Sequence, residues 1–238
     1  QKLDRNWKLA NEQIYTYEAS YPDATRLIDF SLQSPPSMPR SAAARLLKFA
    51  YAGQEYEIPV RFSANAIRFF EDYPQTNFEV YFASAPSTEA SSSLLSALQP
   101  HVKGKTEQQA VNFLLRFVQT AFVYKTDPEQ FGREKPLFPD ETLFYDFSDC
   151  EDRAILFAYL VRSLCGLEVI GLDYPAHIAT AVRFTGDVQG DAVMYRGRKY
   201  LICDPTYTNA DAGVCMPNLK STDPRVIQWA SREVSTLH

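Results

Sequence analysis

Residues Phe147-Ser148-Asp149-Cys150-Glu151-Asp152-Arg153-Ala154, running on through Ile155-Leu156-Phe157-Ala158-Tyr159-Leu160-Val161, decide how this chain is read. Ser148 followed three residues later by Glu151 has the form of a capping box, which satisfies backbone N–H groups in a helix's first turn. From Ala154 to Val161 the run is apolar nearly all round, so the helix is predicted to be buried centrally rather than to ride the surface. Gly166 is the predicted stop, since glycine takes the left-handed conformation that ends helices without a Cβ penalty. With Ser148 as N-cap, Cys150 stands in the first turn, where unpaired N–H groups and the positive end of the dipole favour a thiolate. The same N–H groups can receive an oxyanion.

Downstream, strands are predicted at Glu168 to Asp173, His177 to Phe184, Ala192 to Tyr195 and Lys199 to Asp204, with turns at Gly186-Asp187 and Arg196-Gly197. His177 opens its strand after Tyr174-Pro175-Ala176, and Asp204 ends an apolar strand before Pro205-Thr206. The intervals from Cys150 to His177 and from His177 to Asp204 are both 27 residues, room for a helix plus strand and then a hairpin. Taken singly, each residue has an ordinary structural explanation: a buried small hydrophobe, a core histidine, a turn-forming aspartate. Together they put a nucleophile, a base and an orienting carboxylate on adjoining elements. Asp223-Pro224 is read as the start of a short terminal helix.

Upstream of the Cys helix, Thr106-Glu107-Gln108-Gln109 resembles a capping box, and Ala110, Phe113, Leu114, Phe117, Ala121 and Phe122 mark one apolar helical face. Residues 126–146 form a long connection carrying Phe131, Phe138, Phe144 and Tyr145, expected to fold over the cleft and line the acyl-side subsite. Residues 46–51 and 54–60 read as a hairpin around Ala52-Gly53, and residues 77–82 as another strand. Residues 31–42 read as a loop, and the first 20 residues fit a helix or an arm. Composition shifts at residues 84–105, dividing a β-rich extension (1–87) from a second unit (88–238). The whole is an α+β plan: helices, then antiparallel strands.

A net charge of −5 argues against a general nucleic-acid binder, and no apolar run reaches the roughly 20 residues that span a bilayer. Four cysteines in 238 residues make no disulfide framework, and no Cys-x-x-Cys pair suggests structural zinc. Cys165 and Cys203 sit in apolar settings unlike that of Cys150. Of three histidines, His238 is terminal and His101 follows a proline, which leaves His177 as the general base. The chain begins at Gln1 rather than Met, which leaves open whether a leader or an upstream domain was removed, and an extracytoplasmic setting is only slightly favoured.

Three segments resemble the core of the transglutaminase-like (papain-like) cysteine protease superfamily: Ser148-Asp149-Cys150-Glu151-Asp152-Arg153-Ala154, His177-Ile178-Ala179-Thr180-Ala181-Val182 and Ile202-Cys203-Asp204-Pro205-Thr206. Leu160-Val161-Arg162 closing on Gly166 is similar to the family's helix end. The resemblance covers about residues 90–210. It implies a buried Cys-bearing helix packed on an antiparallel sheet, with Cys150 as nucleophile, His177 as base and then acid, and Asp204 as orienter. The substrate implied is an amide bond of a protein or peptide, attacked through a thioester, with no cofactor required. Ser148 stands where many members have Gly, both neighbours of Cys150 are acidic, and Ile178 stands where some members have Trp.

The Asp-Cys-Glu-Asp run is also similar to that of bacterial periplasmic cysteine proteases whose flanking acids bind calcium, which would place calcium on Asp149, Glu151 and Asp152. Their alternative role is as first-turn acids favoured by the helix dipole. Hydrolysis is the leading expectation. Amine transfer (a crosslinking transglutaminase) and a non-catalytic protein-binding module on the same fold are the alternatives, and a metal site built from Cys150, His177 and acids fits the spacing poorly. A second oxyanion donor is needed besides the Cys150 N–H, and the Tyr145 hydroxyl is the candidate.

Overall fold

The computed structural model describes residues 41–229, so the readings made of residues 1–40 and of His238 lie outside it. In chain order the elements are β1 (Ala42–Tyr51), β2 (Gln54–Ser63), α1 (Ala64–Glu71), α2 (Phe78–Ala83), α3 (Thr88–Val102), α4 (Glu107–Thr120), β3 (Val123–Tyr124), α5 (Asp127–Phe131), α6 (Pro139–Phe144), β4 (Phe147–Ser148), α7 (Cys150–Cys165), β5 (Glu168–Tyr174), β6 (His177–Arg183), β7 (Ala192–Tyr195), β8 (Arg198–Cys203) and β9 (Arg225–Ile227). The class is α+β. Strands β5 to β9 form one sheet in the order β7-β8-β6-β5-β9, every neighbouring pair antiparallel, and α7 packs across β5 and β6.

Period-two alternation assigns the faces of this sheet. Val169, Ile178, Val182, Leu201 and Cys203 join the core that contains α7, while Ile170, Leu172, Ala179, Ala181 and Ile202 pack with Cys215 and Leu219 on the other side. Helix α7 is closed by Gly166 at φ 67, as its sequence predicts. Helix α4 opens on the expected capping box, the Gln109 N–H donating to Thr106 Oγ1 at 3.3 Å and the Thr106 N–H to Gln109 Oε1 at 3.1 Å.

The β1–β2 hairpin turns through Ala52 and Gly53, both at positive φ (51 and 78), and buries Leu47, Phe49, Ile58, Val60 and Phe62. These side chains belong to the same hydrophobic cluster as Phe113, Phe117, Ile155 and Phe157. Residues 84–93 lead straight into α3, where Ser93 Oγ accepts the Arg61 N–H at 2.9 Å and ties the hairpin down. Limited proteolysis at 84–93 is therefore expected to unfold the protein rather than release two separately folded pieces. Two stable fragments on a sizing column would contradict this.

Two expected elements are corrected. Residues 77–82 form a helix, α2, rather than a strand: Phe78, Tyr81 and Phe82 lie three and four apart as well as alternating partly, and tertiary packing chose the helical period. There Phe82 stacks on Trp229, and a Cβ at Gly171 would come within 3.0 Å of its ring, so β5 needs glycine at that point. Asp223-Pro224 is followed by β9 rather than a helix, because the edge of β5 offers residues 225–227 ladder partners.

Candidate active site

Helix α7 begins one residue later than expected. Asp149 is its N-cap and Cys150 its first helical residue. The Ser148 hydroxyl is engaged elsewhere, accepting from Arg153 Nε at 3.0 Å. The acid reaching back to the N-cap is Asp152, whose Oδ2 accepts the Asp149 N–H at 3.2 Å, and not Glu151. Glu151 faces the thiol instead: Cys150 Sγ donates to Glu151 Oε2 at 3.1 Å.

Strands β6 and β8 pair with Thr180 opposite Cys203, so Asp204, just past the end of β8, lies diagonal to His177 on one sheet face. His177 Nε2 meets Asp204 Oδ2 at 2.8 Å. Asp204 Oδ1 accepts the N–H groups of Thr206 (2.8 Å) and Tyr207 (3.2 Å), an Asx turn that aims the second oxygen at the imidazole. The start of β6 abuts the start of α7, with the Ile178 N–H donating to Cys150 Sγ at 3.4 Å. The structure thus brings His177 and Asp204 together, and places Cys150 against the main chain of Ile178, the residue after His177. Asp204 takes His177 Nε2 and leaves Nδ1, while the hydrogen bonds of the thiol run to Glu151 and Ile178 rather than to the imidazole.

The site is crowded with buried carboxyls: Asp127, Asp149, Glu151 and Asp152. Burial, and then Glu151, push the Cys150 thiol far up from its ordinary value. Burial and then Asp149 push Asp127 up to about 8 and Glu151 up to about 7. Oxygens of Asp127, Asp149 and Glu151 lie within 4.8 Å of one another, and Asp149 Oδ1 is buried without a protein partner. A calcium ion bonds oxygens at about 2.3–2.6 Å, so oxygens around one ion stand up to about 5 Å apart. This donor set, all hard oxygen with one orphaned, fits such a cation. Of the three acids named for calcium, Asp149 and Glu151 stand in this cluster together with Asp127, while Asp152 Oδ1 accepts the Leu137 N–H at 2.8 Å and its Oδ2 the Asp149 N–H.

A pH dependence of stability follows. Folded-state values of about 8 and about 7 lie above the ordinary carboxylate range, so between about pH 4 and those values the folded protein holds protons the unfolded chain has released. The contribution is fully present below the unfolded value and is lost as pH rises through the folded one. Melting temperature is expected to fall from pH 5 to pH 8, and excess calcium should flatten the fall by occupying the ionised form. Thermal scans with calcium and with a chelator check this, and parallel curves would refute it.

Tyr145 ends α6 with its ring edge-on to Phe131 and Phe144. Burial, Glu141 and Glu71 push its phenol up to about 12. The Tyr124 phenol is likewise raised to about 12 by burial, then Cys150 and Asp149, and its ring lies under the Arg153 guanidinium (5.4 Å to the ring centroid). Nor is the 126–146 connection a cover over a cleft throughout: Leu137, Phe138 and Leu143 are core residues. Buried acids anchor its main chain, Lys135 N–H to Asp127 Oδ2 at 2.6 Å and Phe138 N–H to Glu141 Oε2 at 3.1 Å.

Tyr124, Asp127, Arg153 and Gln119 surround the site, and the residues read in sequence alone gave none of them a role. Only Gln119 carried a signal, a polar residue between Val118 and Thr120 at the end of a largely apolar helix. A scan against protein-family models gives no match for this chain, and a search of curated proteins gives none either.

Proposed function

We propose that this protein is a thiol acyl-transfer enzyme with a transglutaminase-like (papain-like) core, acting on an amide bond of a protein or peptide, with water as the acceptor. The observation that carries the reading is the 2.8 Å His177–Asp204 contact on the strand whose next N–H meets Cys150 Sγ. His177 Nδ1 takes the thiol proton as Sγ turns from Glu151 and attacks the carbonyl carbon. The oxyanion is received by the N–H of Cys150 at the helix start. As the tetrahedral species collapses, the C–N bond breaks, His177 returns the proton to the amine, and an acyl thioester remains. The imidazole then deprotonates water, which attacks the thioester and restores the thiol. Asp204 holds the tautomer and stabilises the imidazolium. Asp127, Asp149 and Glu151 are the residues that would hold calcium. Bound there, the cation supplies the positive charge these carboxyls lack and so favours thiolate over thiol.

Tyr124, whose ring lies under the guanidinium of Arg153 one turn along α7 from Cys150, is a second candidate oxyanion donor beside Tyr145. If Tyr124 is the donor, Tyr124→Phe should lower kcat by about 10²–10³-fold with KM little changed, and Tyr145→Phe should not. The reverse result would give the role to Tyr145. No helix among the described residues is long and apolar enough to cross a membrane.

The test is trapping. With calcium and p-nitrophenyl acetate, mass spectrometry should find one acetyl thioester, on Cys150, absent from His177→Ala and removed by hydroxylamine. Equal labelling of the half-buried Cys165, or none, would favour the non-catalytic binding module.

A further inference from the structure

Gln119, in the last turn of α4, is 3 % exposed and touches neither Cys150 nor His177. Its carboxamide nevertheless holds the segment that carries the orienting aspartate. Nε2 donates to the carbonyls of Asp204 (3.0 Å), Tyr207 (2.9 Å) and Ala210 (3.0 Å), and Oε1 accepts the Asn209 N–H at 3.2 Å. Two amide hydrogens are thus shared among three acceptors, and all four contacts fall within residues 204–210. The main-chain carbonyl of Gln119 in turn accepts from Arg153 Nη1 at 3.3 Å, and Arg153 lies one turn along α7 from Cys150. One residue therefore links the two, its main chain bonded to the helix of the nucleophile and its side chain to the loop of the orienter.

That loop lacks regular structure, since β8 ends at Cys203 and residues 204–210 form only turns. Without a buried partner, its inward carbonyls would be left unsatisfied, at a cost of about 1–3 kcal/mol each. The Asp204 side chain spends Oδ1 on the turn and Oδ2 on His177, so the direction of Oδ2 follows the path of the main chain that Gln119 grips. Asn112, two helical turns earlier on α4, grips the far end of the same region, its Oδ1 accepting the Ala212 N–H at 2.9 Å. Holding the loop and aiming Asp204 can thus be told apart.

We propose that Gln119 is the positioning residue of the Cys150–His177–Asp204 set, its carboxamide fixing the main chain at 204–210 and so the angle at which Asp204 meets His177. The proposal deepens the acyl-transfer reading and rests on it for its kinetic consequence, though not for its geometry.

The experiment compares the full chain with Gln119→Met, Asn112→Leu and Asp204→Ala. NMR of nitrogen-15-labelled protein should find a downfield, slowly exchanging His177 Nε2–H resonance in the wild type that Asp204→Ala loses. Gln119→Met should lose it or move it upfield, and Asn112→Leu should keep it. With p-nitrophenyl acetate, kcat of Gln119→Met should fall roughly 10- to 100-fold, the range commanded by hydrogen bonds behind a site residue, with KM within about twofold. If Gln119→Met does not fold, Gln119→Glu is read the same way, since it keeps length and acceptor but has at most one hydrogen for three carbonyls. An unmoved resonance with an unchanged kcat in a folded Gln119 variant overturns the proposal, as does a wild type with no such resonance. A wild type that transfers no acyl group, yet whose resonance depends on Gln119, overturns the enzyme reading and leaves the positioning role standing.

Discussion

Cys150→Ala is expected to be a folded protein with no acyl transfer. The residue is nearly buried, but it contributes one sulfur at a helix start, and losing that atom costs on the order of 1 kcal/mol. The neighbours it leaves are tolerant: the Ile178 N–H sits at a long 3.4 Å from the sulfur, and Glu151, which loses a hydrogen bond favouring its ionised form, is already pushed up to about 7 by burial and Asp149 and can stand protonated. Chemistry suffers far more, because no other group can form the thioester. Turnover should drop about 10⁴-fold or further, with His177→Ala close behind, as members of such a set act as a unit. Circular dichroism and a thermal scan check the fold, and the acetyl trap checks the chemistry. Comparable turnover by Cys150→Ala would remove the mechanism altogether.

The second large effect is on stability. Arg153 is among the largest fully buried side chains, and its guanidinium donates to Ser148 Oγ, the Gln119 carbonyl and the Phe122 carbonyl at 3.0, 3.3 and 2.8 Å. It also places a positive charge near Asp149 and Asp152. Arg153→Met keeps much of the volume but strands three acceptors and removes that charge. Breaking one side of a buried polar arrangement costs about 3–5 kcal/mol. For a domain of this size that is a melting-point loss of roughly 10 °C or more. Denaturant unfolding measures it directly, and a change under about 1 kcal/mol would mean that water replaces the guanidinium.

Much was legible in the residues themselves. The all-round apolar run to Val161 and the stop at Gly166 identify α7, because such a pattern has no stable place except inside. Alternation identifies β5, β6 and β8 to within a residue of their ends, and the scarcity of histidine singles out His177. The start of α7 was legible only to within one residue: Ser148 and Asp149 are both good caps, and the choice fell to Arg153, which takes the serine hydroxyl. At 77–82 the spacing of Phe78, Tyr81 and Phe82 suits either period, and the slot against Trp229 and Gly171 made it helical.

The sequence by itself determined the α+β class, the succession α7, β5, β6, β7, β8 and the identity of the three residues proposed for catalysis, since these depend on local pattern and residue type. The tertiary structure alone decided that Asp127, 22 residues before Asp149, lies beside it, that Asp152 spends one oxygen on the Leu137 N–H, and that Gln119 reaches the loop after Asp204 from 85 residues upstream. The physical reason is that a carboxyl or carboxamide acts through whatever lies within hydrogen-bond reach, and over such separations that is set by packing, which leaves no periodic trace in the chain.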